Sequence, residues 1–221
     1  MGQRQAIASF TSRSHRKRLR EKRKNHVGNR YMRRRRAMNI GLGLAGGALV
    51  GLTPIAASAK SLIPSRALKS LRVKLVNALT RANNIGCSAA AERVADSGSS
   101  TVSLHVRGVD LTVPALRQIT QAISALNHGE ARLLTSVSVS YNPALSDAGA
   151  QTLADSLPSV LPELGMVGCE VTDVGGRALL AWAERAKGLR LLCIEENQFS
   201  ASMVVRFRKL ADTKPGLSLF I

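Results

Sequence analysis

In the second half of the chain the apolar residues keep returning at one spacing. Across residues 134–142, LTSVSVSYN, Leu134, Val137 and Val139 hold the first, fourth and sixth places and Asn142 the ninth. Leu161, Leu164, Met166 and Cys169 repeat this 27 residues later, and Leu189, Leu192, Ile194 and Asn197 repeat it after another 28. Alternate residues of an extended segment point to opposite sides, so the apolar places mark the inward face of a short strand. Behind the first two strands come Asp147 with Gly149 and Asp173 with Gly175, each followed by a helical spacing, Leu153 with Leu157 and Leu179 with Trp182. Ser200 stands at the equivalent third helix entry. Each unit therefore reads as strand, turn and a helix capped by its own Asp or Ser, with Trp182 in the core.

The pattern extends outward in weaker form. Leu104, Val106 and Val109 mark an earlier strand, and Pro114 opens a helix carried by Leu116, Ile119, Ile123 and Leu126. That unit lacks Asn or Cys at the ninth place and runs 33 residues to the next. Leu219 and Ile221 fall 27 residues beyond Leu192 and Ile194, which predicts a fifth strand. Upstream, Pro64 opens a helix with Leu68, Leu71, Leu75 and Leu79 on one stripe and Lys69, Arg72 and Arg81 outside it. This helix and the following CSAAAERVADSG are expected to cover the exposed end of the first strand.

The L-x-x-L-x-L-x-x-N/C spacing and its period resemble the leucine-rich repeat family, and the Asp- or Ser-entered helices resemble its ribonuclease-inhibitor-like class, over about residues 100–221. The resemblance implies an α/β fold: a short solenoid with parallel strands on the concave side and helices on the convex side. Asn or Cys at the ninth place would bond the backbone of neighbouring turns. The concave face would carry the fifth and seventh places, His105 with Arg107, Ser138 with Ser140, Gly165 with Val167 and Cys193 with Glu195, all facing outward. Tyr141 is the exposed aromatic expected beside them. The resemblance further implies that a macromolecular partner binds there, at His105, Arg107, Ser138, Ser140, Tyr141, Val167, Cys193 and Glu195, without chemistry at the site.

Charge changes the picture at the other end. Residues 1–91 hold 20 Lys/Arg and the single acid Glu21, hence +19, while residues 92–221 hold 12 Lys/Arg and 13 acids, hence −1, consistent with the total of +18. Four segments follow: 1–38 a basic arm or targeting segment, 39–59 a Gly-rich apolar helix, 60–97 a helical linker and N-terminal cap, and 98–221 the repeats. Within the arm, residues 12–36 concentrate 13 Lys/Arg against one acid. Such a run calls for an anion, either a nucleic-acid backbone, whose neutralisation releases counterions, or an anionic lipid surface. The contact residues expected are Arg16, Lys17, Arg18, Arg20, Lys22, Arg23, Lys24, Arg33, Arg34, Arg35 and Arg36.

Residues 40–59 carry no charge, and twenty residues as a helix span roughly 30 Å. Only seven of them are large and apolar, and Pro54 and five glycines work against insertion. Gly43, Gly47 and Gly51 form a GxxxGxxxG stripe that suits close helix packing. The same stretch also reads as a signal, with arginines ahead of the apolar run and Ala57-Ser58-Ala59 as a cleavage site. The first twenty residues, Arg-rich and free of acid, resemble a mitochondrial or plastid transit peptide.

Enzyme chemistry finds little support. GxxxxGK, HExxH and GxSxG are absent, and Gly41, Gly43 and Gly46 follow arginines instead of a strand, so they make no dinucleotide site. Cys87, Cys169 and Cys193 lie too far apart for a zinc or disulfide framework, and the four histidines are scattered. No cofactor, metal or small-molecule substrate is expected. The expected function is a non-enzymatic interaction or scaffold subunit of an organellar, mitochondrial assembly, with protein partners and an arm on RNA or membrane. The alternative is a leucine-rich repeat protein exported from a bacterium.

Overall fold

The computed structural model describes residues 65–221. The expectations for the basic run 12–36 and for residues 40–59, with Gly43, Gly47 and Gly51, lie outside the described residues.

Helix α1, Arg66–Arg81, starts where the Ser65 hydroxyl accepts the Leu68 N–H. Its Leu68, Leu71, Leu75 and Leu79 are buried, as their stripe predicts. The Asn84 side chain caps α2, Ile85–Ala95, by accepting the N–H groups of Gly86 and Cys87, and α1 packs on α2. Five strands then form one parallel sheet in chain order: β1 Val102–His105, β2 Leu134–Ser138, β3 Glu163–Gly165, β4 Leu191–Cys193 and β5 Ser218–Phe220. Parallel strands need a crossover, which helices supply here. These are α3 Val113–Ser124, the short α4 His128–Leu133, α5 Ser146–Ser156, α6 Asp173–Arg185 and α7 Ala201–Thr213. The chain is thus α/β, and a single buried cluster runs from Leu68 through the sheet to Phe207.

Register follows the sequence repeat. Leu104 lies beside Val137, Val137 beside Leu164, Leu164 beside Leu192 and Leu192 beside Leu219. Where each strand ends, the ninth-place residue takes over its backbone bonding. Fully buried Asn142 accepts the N–H groups of Val109 and Leu111 and donates to the carbonyls of Val106 and Val139, at 2.7–3.0 Å. Asn197 does the same two units further on, accepting from Cys169 and Val171 and donating to Met166 and Ile194. Between them the Cys169 thiol donates to the Val139 carbonyl at 3.4 Å, and burial pushes its pKa up to about 11. The three cysteines are buried and form no disulfide.

Two readings need correction. Asp147 and Asp173 do not cap their own helices; each reaches forward to the next unit. Asp147 accepts the N–H and hydroxyl of Thr172 and the N–H of Gly175 at 2.7–2.9 Å, and Asp173 accepts the N–H and hydroxyl of Ser200 at 2.8 and 2.6 Å. The reason is geometric: parallel helices in register set the first turn of one beside the entry of the following one, and the orphan N–H groups there attract a carboxylate. Thr172 and Ser200 are the caps proper. The 33-residue first spacing is also explained by an element the pattern did not predict, α4, whose Asn127 and Glu130 form a reciprocal capping box.

The opposite helix ends are closed by cations. Lys74 donates to the Ala125 carbonyl, Arg185 to that of Ala154 and Lys214 to that of Ala183, at 3.2, 2.5 and 2.5 Å, each at the end of a preceding or facing helix where carbonyls lack partners. Lys74 also meets buried Glu130 at 2.6 Å, where Ser70 donates a second bond. Burial works against the Glu130 carboxylate, yet Lys74, Ser70 and the Asn127 N–H outweigh it and hold its pKa below the ordinary value. Burial likewise opposes the Asp147 carboxylate, and Thr172 and Gly175 overcome it. A carboxyl depressed on folding contributes stability that is present above its unfolded pKa and is lost as pH falls through the folded one. The urea midpoint is therefore expected to fall as the pH drops below about 4. In the Glu130→Gln, Asp147→Asn double variant the midpoint should start lower at neutral pH and fall less steeply; an unchanged slope would refute the assignment.

Candidate functional site

The registers that align the core also align the other face of the sheet. His105 lies beside Ser138, Ser138 beside Gly165, Gly165 beside Cys193 and Cys193 beside Phe220. Two residues earlier, Ser136, Glu163, Leu191 and Ser218 form a second row, and two residues later Arg107, Ser140, Val167 and Glu195 follow the strands. The sequence expectation of one continuous face is met in its alignment.

Its expected exposure is not. Ser138, Ser140, Val167 and Cys193 are buried, as are Ser136 and Tyr141, while His105, Arg107 and Glu195 are partly buried. Part of the reason is hydroxyl pairing at close strand spacing. Ser136 Oγ lies 3.1 Å from His105 Nε2, Ser138 Oγ lies 3.2 Å from Ser140 Oγ, and Ser140 Oγ accepts the Val167 N–H at 3.1 Å. A Cβ at Gly165 would stand 2.8 Å from Ser138 Oγ, so glycine is what allows β3 to close on that hydroxyl. Small polar side chains satisfied in this way form a floor, not a row of projecting contacts.

The projecting chemistry gathers where the strands end. At the eighth place Gly108, Tyr141, Gly168 and Glu196 all take left-handed backbone, with φ of 62°, 63°, 59° and 59°. For a bulky residue such as Tyr141 this conformation is uncommon. It turns these residues out of strand alternation and brings them together at one rim. The Arg107 guanidinium carbon lies 5.5 Å from the Tyr141 ring centroid, within cation–π range. On the other side, the Tyr141 ring edge and the Glu196 carboxylate both lie close to Gly168. Burial first, then Glu196 and Glu195, push the Tyr141 phenol up to about 12 against the opposing pull of Arg107. The Arg107 guanidinium is the hydrogen-bonding group beside the buried Tyr141 hydroxyl, at a geometry too loose for a strong bond.

Sequence reasoning identified Arg107, Tyr141 and Glu195 but missed Gly168 and Glu196. The available signal was the eighth place itself, since a shared turn there stacks those four residues regardless of their type.

Two open clefts lie elsewhere. A groove of about 720 Å³ between α3 and α5 is lined by Arg117, Gln121, Gln151, Thr152 and Asp155 among others, and its lining contains no His, Cys or Lys. A cleft of about 410 Å³ lies by Lys187, Arg190 and Lys214, with Glu184 on its edge; burial, reinforced by Arg190, lowers the Lys214 pKa. Among the described residues no group of three His, Cys, Asp or Glu is placed to hold a metal ion, and no helix is long and apolar enough to cross a membrane.

Compared with models of known protein families and with curated proteins, the chain matches none.

Proposed function

We propose that about residues 100–221 form a leucine-rich-repeat solenoid of the ribonuclease-inhibitor-like class, and that the chain is a non-enzymatic scaffold that binds another protein across its strand face. The observation that carries this reading is the rim of Arg107, Tyr141, Glu195 and Glu196 above a floor of small aligned residues. Arg and Tyr are the residue types over-represented at interface hot spots, and here they are held by rigid elements. Ser138, Ser140, Val167 and Cys193 supply the floor, with His105 at its β1 end. In the same reading the basic run 12–36 engages RNA or an anionic membrane, and the whole belongs to an organellar assembly, mitochondrial by the transit-like composition of its first residues. Export from a bacterium is the second reading, favoured by the Ala57-Ser58-Ala59 motif behind an apolar run.

The test is affinity isolation of the full chain from its own cells, beside a Glu195→Lys, Glu196→Lys variant whose substitutions avoid the buried cluster. Loss of a stoichiometric protein partner, with the melting temperature kept, is the expected result. An unchanged partner set would contradict the reading.

A further inference from the structure

The two ends of the sheet are finished differently. In a parallel ladder alternate residues of a strand turn both N–H and C=O to the same side. At the β1 end the Val106 N–H bonds the Ser138 carbonyl, so His105 turns its backbone outward, and its carbonyl accepts the Arg93 guanidinium of α2 at 3.2 Å. Helix α2 packs on β1 there, with Cys87, Ala90, Ala91 and Val94 buried. At the other end β5 is the outermost strand. The Ser218 N–H bonds the Arg190 carbonyl and the Phe220 carbonyl accepts the Ile194 N–H, which turns the N–H and C=O of Leu219 away from β4. Neither group has a partner among the described residues. The apolar layer is open as well: Leu192 and Ile194 are 0% exposed, whereas Leu219 beside Leu192, and Ile221 two residues on, are only half-buried. A strand edge in this state is a template for another strand.

We propose that the outer edge of β5 pairs antiparallel with the same edge of a second copy of this chain, about a two-fold axis at Leu219. A residue on such an axis exchanges both bonds with its own copy, so each Leu219 N–H donates to the other Leu219 carbonyl. Ser218 then faces Phe220 of the second copy on the strand face, and the two Leu219 side chains meet on the apolar side, closing the open layer. Charge selects this direction. Ahead of β4 and β5 stand exposed Lys187 and Arg190 and half-buried Lys214, against the one acid Glu184. Past the other end of β4 stand Glu195 and exposed Glu196. Antiparallel addition sets the acidic end of each copy toward the basic end of the other, two strand spacings or roughly 10 Å away, which is close to the Debye length. Parallel addition would align like charge with like.

The experiment is sedimentation equilibrium of the full chain and its variants over roughly 1–100 µM. Wild type should fit a monomer–dimer equilibrium. Leu219→Pro removes the outward N–H while leaving the Ser218 and Phe220 bonds to β4, and Leu219→Ala shares its loss of side chain but keeps the N–H. The Pro variant should dimerise at least about tenfold more weakly than the Ala variant, since two such N–H groups donate across the axis. Leu219→Cys should give a covalent dimer on mild oxidation, because residues paired on the axis lie about 5.5 Å apart and the native cysteines are buried. A wild type that stays monomeric would overturn the proposal, as would a Leu219→Cys chain that yields no covalent dimer. Equal association of the Pro and Ala variants would overturn it too, since it would place the contact on another segment, residues 1–64 included.

Discussion

Replacing Asn142 by Ala is expected to destabilise the protein by about 4–6 kcal/mol, enough to leave a domain of ordinary stability largely unfolded. The side chain is wholly buried and bonds four backbone groups at 2.7–3.0 Å, the N–H of Val109 and of Leu111 and the carbonyls of Val106 and Val139, with a longer fifth bond of 3.4 Å to the Ser140 carbonyl. Alanine fills none of these roles, and each orphaned buried group loses about 1–3 kcal/mol. Water cannot readily replace the amide, because Val106, Leu111 and Val139, whose backbone it bonds, are almost completely buried. Asn197→Ala serves as the internal comparison. It breaks the same four bonds, but at a part-buried site where solvent can compensate, so about half the effect is expected. Urea denaturation followed by circular dichroism measures both; equal effects would mean that the bond count alone, without burial, decides.

Trp182→Ala is the second large effect, about 3–5 kcal/mol. The indole is 0% exposed, and its N–H donates to the Leu157 carbonyl at 3.1 Å, tying α6 to the end of α5. Truncation leaves both a cavity between two helices and an unsatisfied carbonyl. Trp182→Phe separates the two terms, since it keeps most of the volume and loses only the donor; about 1–2 kcal/mol is expected for it. Near-equal losses for Ala and Phe would place the weight on the hydrogen bond instead of on packing.

The strands were legible because their signal is local. Apolar residues at the first, fourth and sixth places and Asn or Cys at the ninth fix both which face is inward and where each strand ends, and the observed pairing of Leu104, Val137, Leu164, Leu192 and Leu219 follows. The Asp positions were visible too, but their partners were not. A cap that crosses to the neighbouring unit, as from Asp147 to Thr172, leaves no trace in a short window around either residue. Helix α4 carried an Asn-x-x-Glu signature, hidden because its six residues hold too few apolar side chains to show a period.

The candidate site was half legible for a similar reason. Strand alternation brings Arg107, Ser140, Val167 and Glu195 into line, but it says nothing of how far neighbours cover them, and Val167 and Cys193 prove buried. Alternation also assigns Glu196 to the wrong side. Its left-handed backbone, shared with Tyr141 and Gly168, is what returns it to the rim, and a residue as unusual in that conformation as tyrosine gives no warning in the sequence.

The central claim, a protein partner on the strand face, is tested most directly by placing a photo-crosslinking amino acid at position 196 of the full chain in its own cells, and at exposed position 151 on α5 as the control. The account predicts a discrete protein adduct from position 196 and none of that mass from position 151. No protein adduct from position 196, or the same adduct from both positions, would contradict it.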